Sequence, residues 1–372
     1  MSNVKPVIIY GASGYTGRLV AEYLREYNIP FTAAGRNRGR TEAAMQAVPG
    51  IETADFDILE VPFEAEALES AFQGRTVVCN VTGPFVELGD TIAEAALGAG
   101  AHYIDTTGEQ PWVKRCAEHW GERFGERGLA CVPSMSYMYA TSEVAAQYAL
   151  ETPGVDTLDV LVLFKGIPTF ASTQSFYKVL QHPALYLDQG AYAEWTPGTS
   201  FEAPIPSEVM TAMALPWGGM SHPVWFKSDP RVATCRAIGG NHSRELMQFV
   251  LDATLDFEEN IRPLPRDEQA KILSEKASTT QGGMPPRENR RVHRTIDIVR
   301  GRGSLARADV VIHGTCAYLQ TGLLQAYGAF HLLNTAPRTP GFASPCTAFG
   351  HVELHGALEE YGFIRVERGA QV

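Results

Sequence analysis

The chain of 372 residues is short of several things, and each shortage removes a class of function. It has no run of about 18 apolar residues, so no segment reads as a membrane-spanning helix. Lys and Arg total 31 against 42 Asp and Glu, a formal net charge of −11. That balance argues against nucleic acid or an anionic membrane surface as the main partner. It leaves room for a small anionic ligand held in a local basic pocket. The six cysteines, at 79, 116, 131, 235, 316 and 346, are scattered and form no Cys-x-x-Cys. Most sit in apolar runs such as Val77-Val78-Cys79 and read as small buried residues, which suits a reducing cytoplasm. No internal repeat and no low-complexity tract is present. The opening residues, Met-Ser-Asn-Val-Lys-Pro, run straight into an apolar strand, so no signal peptide is expected.

The chain is organised around residues 6–17. Val7, Ile8, Ile9 and Tyr10 form a short apolar, β-branched run that reads as a buried strand. Gly11, Gly14 and Gly17 follow in G-x-x-G-x-x-G spacing, and Leu19, Val20, Tyr23 and Leu24 then recur at helical spacing. A strand, a glycine turn and a helix N-terminus together make a site for a dinucleotide pyrophosphate. Gly11 allows the tight turn, Gly14 lets phosphate approach, and Gly17 lets the helix pack close to the strand. Ser13, Tyr15 and Thr16 lie within the same turn as candidate contacts.

Further strands are predicted at 31–36, 51–57, 76–81, 102–105 and 129–132. Helical patterns lie between them at 40–47, 64–73, 88–99 and 110–127. Alternation of this kind implies a doubly wound parallel sheet of Rossmann-like α/β class, covered on both faces. The first domain is read as 1–150. From about residue 150 the texture changes to an α+β domain over 151–312, with a mainly antiparallel sheet. Strands are expected at 156–164 and in a hairpin of 292–299 with 306–313, and helices at 172–180 and 243–259. Residues 183–223 show no period. They read as irregular loops over a pocket, or as an interface with a second copy in a homodimer. Residues 279–291 read as a polar loop. Helices over 316–333 and 344–361 close the chain as a third segment, 313–372.

Ligands of such a sheet bind at the carboxyl ends of the strands. Arg36 and Asn37 stand about 20 residues beyond the glycine turn, where an NAD-binding domain usually carries an acid for the ribose 2′-hydroxyl. Arg36 instead offers a guanidinium to a 2′-phosphate, so NADP is the expected cofactor. Arg38 and Arg40 add charge nearby. Thr82, Gly83 and Pro84 can run under the ribose and nicotinamide. Thr107 and Gly108, within Asp105-Thr-Thr-Gly-Glu109, are the last cofactor candidates; the alternative for that stretch is a helix N-cap.

Hydride transfer to a carbonyl, imine or alkene also needs a proton. Tyr137 and Tyr139, just past a strand end, are candidate donors, with a pocket wall as the alternative. Lys165, after the strand at 158–164, is a third candidate, as donor or as carboxylate anchor. Tyr177, Lys178 and His182 share that ambiguity. No metal is expected: His351 and His355 share a helix face, but the motif is not His-Glu-x-x-His and no third ligand is nearby. None of the 14 tyrosines has lysine four residues on, which argues against a short-chain dehydrogenase. Trp195, Trp217, Trp225, Tyr186 and Tyr192 concentrate in one stretch and suggest a partly apolar substrate.

Several motifs, taken in order, resemble the saccharopine dehydrogenase-like oxidoreductases, in the branch that also holds the trans-acting enoyl reductases of lipid synthesis. They are Gly11-Ala-Ser-Gly-Tyr-Thr-Gly17, Ala34-Gly-Arg-Asn37, Asn80-Val-Thr-Gly-Pro-Phe85 and Tyr103-Ile-Asp-Thr-Thr-Gly-Glu109. Tyr318-Leu-Gln-Thr-Gly322 and Ser344-Pro-Cys-Thr-Ala-Phe-Gly350 look like the same family near the end. The resemblance covers about 1–150 and 311–372 and fades over 151–310. It implies an NADP-binding Rossmann domain, a second α/β domain, and C-terminal helices that return to the first. One segment departs from it. Where the family carries Gly-Phe-Asp and then Pro-Ser-Asp, this chain has Ser136-Tyr137-Met138 and Thr141-Ser142-Glu143. The first aspartate is thus lost, and any role it has does not carry over. The reading that results is an NADP(H)-dependent oxidoreductase of a small to medium substrate with C=C, C=O or C=N. A redox-neutral lyase or isomerase, or a non-catalytic NADPH-binding protein, stays open beside it.

Overall fold

A computed structural model of the protein describes residues 4–206, 209–280 and 284–369. The chain forms two units. The first takes Met1–Thr107, Trp112–Ala140 and Tyr318–Tyr361; the second takes Gly108–Pro111, Thr141–Ala317 and Gly362–Val372.

In the first unit, β1 (Val7–Tyr10), β2 (Phe31–Gly35), β3 (Phe56–Glu60), β4 (Val77–Asn80), β5 (His102–Asp105) and β6 (Ala130–Val132) form one parallel sheet. Their order is 3-2-1-4-5-6, and the two-residue β15 (Gly341–Phe342) adds in parallel beyond β6. The order reverses between β1 and β4, so the crevice for a ligand opens at their carboxyl ends. Every residue of β1, β2 and β4 is buried. That is why those strands read as unbroken apolar runs: helices cover both faces of the sheet. On one face Ile8, Val78, Ile92, Tyr103, Trp112, Trp120 and Phe124 pack into a single core.

Helix α1 (Tyr15–Glu26) follows β1, and the long helix Ala317–Asn334 packs on it within the same unit. Their closest approach is at Gly322. A Cβ there would lie 2.8 Å from Leu19 Cβ and 2.9 Å from the Leu19 carbonyl carbon.

Two expected elements of this unit differ. Residues 51–57 are not one strand: Gly50 turns left-handed (φ 70°), Ile51–Thr53 make a 3-10 turn, and β3 begins at Phe56. The helix expected at 344–361 is broken by Gly350 (φ 88°) into Pro345–Phe349 and His351–Glu360.

The second unit is built on a mixed sheet. At its centre β7 (Thr157–Lys165) runs parallel to β12 (Thr234–Asn241) and antiparallel to β13 (Arg294–Arg302). The sheet continues through β14 (Arg307–Gly314) to β16 (Ile364–Arg368) on one side. On the other it continues through β11 (Thr211–Leu215) to β10 (Phe201–Pro204). Residues 183–223 were expected to be irregular, but they hold four short strands. These are β10, β11 and the hairpin of β8 (Leu185–Asp188) with β9 (Ala191–Glu194). That hairpin closes on two residues with positive φ, Gln189 (47°) and Gly190 (74°), the backbone of a type I′ turn. Strands of four or five residues with exposed edges are too short to show a period of two. The helix Arg266–Thr280 buries only Gln269, Leu273 and Ala277, one narrow stripe in a polar sequence. It therefore takes in the start of the predicted 279–291 loop, of which residues 281–283 lie outside the described residues.

Gly322→Ala should destabilise the protein by about 1–3 kcal/mol, because the added methyl meets backbone and cannot be absorbed by a rotamer change. Urea unfolding measures it; an unchanged midpoint would mean the helix can shift freely on α1.

Candidate functional site

The glycine turn is held by backbone hydrogen bonds before any ligand is considered. The amides of Gly11 and Ala12 both donate to the Ala34 carbonyl at 3.0 Å, tying the end of β1 to β2. Gly14 N–H donates back to the Gly11 carbonyl. The three glycines serve different needs. Gly11 has φ 97°, and a Cβ on it would lie 2.4 Å from Thr82 Oγ1. A Cβ on Gly17 would lie 2.6 Å from the Gly11 carbonyl oxygen and 2.7 Å from Ala12 Cα. The packing of the chain alone demands glycine at both positions. Gly14 has an ordinary φ of −75°, and its Cβ would meet only the Gly11 oxygen, at 3.3 Å. Nothing else among the described residues requires glycine there, which leaves the space beside it open to a ligand.

The start of α1 completes an anion cradle. Its N-cap, Gly14, brings no side-chain cap, and the first turn contains no acid. The amides of Ser13, Thr16 and Gly17 and the hydroxyls of Ser13 and Thr16 meet no partner among the described residues. Free N–H groups at the positive end of a helix dipole suit a pyrophosphate.

One strand over, the structure sorts the basic residues. Arg38 is committed: its side chain donates to Glu42 at 2.8 Å and to the Ile58 carbonyl at 3.2 Å. Asn37 is committed as well, because its side chain caps the helix α2 (Arg38–Gln46) by accepting from Arg40 N–H. The Arg36 and Arg40 guanidiniums are exposed and have no hydrogen bond or ion pair among the described residues. Burial pushes the Tyr10 phenol up and the Arg36 charge pulls it down, so Arg36 acts electrostatically on the end of β1. The cradle and this free guanidinium fit NADP, with Arg36 available to the 2′-phosphate.

At the end of β4, Thr82 is a strut. Its hydroxyl donates to the Tyr10 carbonyl and its amide to Asn80 Oδ1, both at 3.0 Å. Gly83 and Pro84, joined by a cis peptide, lead into the helix Phe85–Ala99.

The end of β5 is governed by Asp105, which is fully buried. Its Oδ1 accepts from the amides of Thr107 and Ser134, both at 2.9 Å. Its Oδ2 accepts from Trp112 Nε1 at 2.7 Å and from the Tyr103 hydroxyl at 2.8 Å. Its carbonyl takes the Met135 amide and Gln325 Nε2. Burial pushes the carboxyl up to about 6, against the pull of these four donors. The stretch Asp105–Glu109 is therefore organised by its first carboxylate. Thr107 belongs to the first unit and Gly108 to the second. Within the second unit Glu109 accepts from Ser175 Oγ, and Gln110 Nε2 donates to the Met220 carbonyl at 2.7 Å.

Tyr137 and Tyr139 follow β6 and are both buried, and the Tyr137 amide donates to Thr321 Oγ1 at 3.2 Å. Lys165 lies in the other unit, exposed at the end of β7. Ser142, in the departed segment, is buried and shares a 2.8 Å hydrogen bond with His222 Nε2 in the second unit. Sequence reasoning missed Asn80, Trp112, His222 and Gln325. The available signal was a polar residue inside an apolar run, as Asn80 is after Val77-Val78-Cys79.

A parallel sheet in this order, with a glycine cradle at its switch point and a free guanidinium one strand over, defines a dinucleotide-binding protein. The chain belongs to the family of unknown function DUF5938, matched over residues 140–367, and its residues 7–132 are a saccharopine dehydrogenase NADP binding domain. A putative trans-acting enoyl reductase of Mycobacterium tuberculosis is 27% identical over 184 residues, 47% of this chain and 44% of that protein. The human saccharopine dehydrogenase-like oxidoreductase is 25% identical over 157 residues, 38% of this chain and 36% of its own length. A lipid droplet localized protein of Caenorhabditis elegans is 26% identical over 140 residues, 35% and 33% of the two chains. The matches thus span less than half the length of these relatives. In structure, saccharopine dehydrogenase (L-Glu forming) from Saccharomyces cerevisiae superposes with a TM-score of 0.62 at 12% identity, over 98% of this chain and all of that one. That is a likeness of fold. No described helix is long and apolar enough to cross a membrane.

Arg36→Ala should weaken NADPH binding by roughly ten- to a hundredfold, the loss of about 1.5–3 kcal/mol from a charge-assisted contact, and leave NADH nearly unchanged. Calorimetry with both cofactors decides it; equal losses would remove the 2′-phosphate role.

Asp105 gives a pH signature. Its folded pKa of about 6 lies above the ordinary 3.8, so between those values the folded protein holds the proton more tightly than the unfolded chain. Its ionisation therefore costs stability as pH rises through that window and adds no further cost above it. Asp105→Asn should flatten that part of the profile. It also turns an amide N–H₂ toward the Trp112 N–H, costing about 1–3 kcal/mol for a buried donor left unpaired. Urea unfolding at about pH 4.5 and about pH 7.5 measures both effects.

Proposed function

We propose that the protein is an NADP(H)-dependent oxidoreductase that reduces a C=C, C=O or C=N bond in a small to medium, partly apolar substrate. The observation that carries this reading is the pairing of an anion cradle with the uncommitted Arg36. Gly14 leaves room for phosphate, free amides of α1 face it, and Arg36 supplies the charge that selects the phosphorylated ribose. NADPH, when bound, supplies the hydride. The work left to the chain is to hold the cofactor, seat the substrate and deliver a proton to the reduced atom.

Tyr137 and Tyr139 are the proposed proton donors. They stand just after β6, on the carboxyl edge of the sheet where ligands of this fold bind. A phenol keeps its O–H at neutral pH, the state a donor needs. Met138 removes the carboxylate that the resembled family carries at this point, so the neighbouring phenols are the local replacement. The burial of both rings favours a donor shielded from water. Lys165 remains the proposed donor or carboxylate anchor from the second unit.

A panel of enones, ketones and imines should reveal turnover as a net change of NADPH absorbance. Tyr137→Phe and Tyr139→Phe should leave NADPH affinity intact, and at the donor position kcat should fall by about a hundredfold or more. Near-normal kcat in both single variants and in the double variant would reduce these tyrosines to a pocket wall. Substrate conversion without net NADPH oxidation would replace reduction by a redox-neutral reaction.

A further inference from the structure

The central strand of the second unit has the composition of a strand covered on both faces. Val160-Leu161-Val162-Leu163-Phe164 of β7 is an unbroken apolar run. The structure buries one face fully: Leu158, Val160, Val162 and Phe164 are buried there, with Val299 and Val310 beside them. On the other face Leu161, Ile298 and Val311 are only partly buried. They cluster with Leu163, Ile296 and Ala212 of neighbouring strands and with Ile205 from the turn after β10, and no residue of a described helix joins them.

Strand register arranges this second face in rows. One row is apolar across four adjacent strands: Ile238, Leu161, Ile298 and Val311, on β12, β7, β13 and β14. The next row on the same strands is Arg236, Asp159, Arg300 and Asp309, charges of alternating sign. Their side chains are between 34% and 56% exposed. Within the chain Arg236 donates to Asp188, Arg302 to Asp159 and Arg300 to Asp309. Exposed pairs of this kind are individually weak and can re-pair.

A row that alternates in sign over four strands is its own complement. A two-fold axis along the strands, midway between β7 and β13, lays the row on a reversed copy of itself. Asp159 then faces the partner's Arg300, and Arg236 faces the partner's Asp309. The same rotation sets Leu161 against the partner's Ile298 and Ile238 against the partner's Val311. One row further, Arg302 meets the partner's Thr157, so no like charges oppose. In the other direction Ile205 packs on Leu163 and Ile296, and Lys165 and Arg294 stand beyond it at the strand ends. Arg294 also turns its guanidinium back to the carbonyls of Arg290, Arg291 and His293. A partner surface of one charge sign would find half of the alternating row repulsive, whereas a second copy matches all of it.

We propose that this face is the interface of a homodimer, in which two copies of the sheet pack face to face across that axis. The contact is isologous, with an apolar row at its centre and an alternating charged row beside it. It uses the second unit alone and does not depend on what the first unit binds.

Sedimentation of the full-length protein tests it. The parent should be a dimer. Asp159→Arg and Arg300→Asp each set like charges against each other at two places, and each should raise the dimer Kd by at least about tenfold. Mixing these two variants restores both opposite-charge contacts, so the mixture should dimerise within a few-fold of the parent. Both substitutions are at solvent-accessible positions, and urea unfolding confirms that each variant folds. Leu161→Lys places a charge in the apolar row and should leave only monomer. The proposal falls if the parent is a monomer at high micromolar concentration. It falls if Arg300→Asp and Leu161→Lys both leave the dimer as tight as before, which would put the contact on another surface. It also falls if the mixed charge variants associate no better than either alone.

Discussion

The first unit depends on one buried carboxyl group. Asp105 sits fully buried at the carboxyl end of β5; burial disfavours its charged form, and the four donors that converge on its two oxygens offset part of that penalty. Those donors come from different places: the turn after β5, the turn after β6, Trp112 and Tyr103. The Asp105 backbone carbonyl adds Gln325 from the long C-terminal helix. Removing any one partner would leave a charged group or a buried N–H uncompensated, so the loops it gathers share one arrangement. Those loops form the edge of the sheet on which a cofactor of this fold lies. The rigidity of the site is thus supplied by a residue placed to touch protein on every side.

Much of the first unit was legible because its signals are local. A parallel strand buried on both faces is a run of apolar residues, and Val7–Tyr10 and Val77–Asn80 could hardly be read otherwise. The glycine spacing fixed the position of the turn and the start of α1. Illegible parts depended on long-range placement. The 3-10 turn at Ile51–Thr53 and the later start of β3 at Phe56 follow the left-handed turn at Gly50, and nothing nearby marks that turn as opening a 3-10 segment. In the second unit, β8 to β11 are short, exposed along their edges and joined by turns such as Gln189-Gly190, which lacks the common Asn-Gly signature. Their strand character comes from pairing with β12 and with each other, which the sequence of 183–223 does not display.

The candidate site divides in the same way. Arg36 was visible from its distance to the glycine turn. What the sequence could not show is which of the neighbouring basic and polar side chains is already engaged. Arg38 and Asn37 look equivalent to Arg36 on paper, but one is held by Glu42 and the Ile58 carbonyl and the other caps a helix. Thr82 likewise looked like a ligand contact, and its hydroxyl is bonded to the Tyr10 carbonyl. Commitment of a side chain to the protein is a property of three-dimensional neighbours. It is what separates a residue that shapes a site from one free to act in it.

The first unit is assembled from three stretches of chain, and the last of them begins at Tyr318. This bears on the order of synthesis. When the ribosome has made the glycine turn and all six of β1 to β6, the helix that packs on α1 at Gly322 and the strand that pairs with β6 do not yet exist. Residues 141–317, all of the other unit, must be made before the third stretch even begins. Until then the outer edge of β6 stays unpaired and the Leu19 face of α1 stays uncovered. A nascent chain in that condition exposes a strand edge and an apolar helix face, features that invite association with other chains. Completion of the first unit is accordingly a late event in its biogenesis, reached only once residues 318–361 have been translated and have docked.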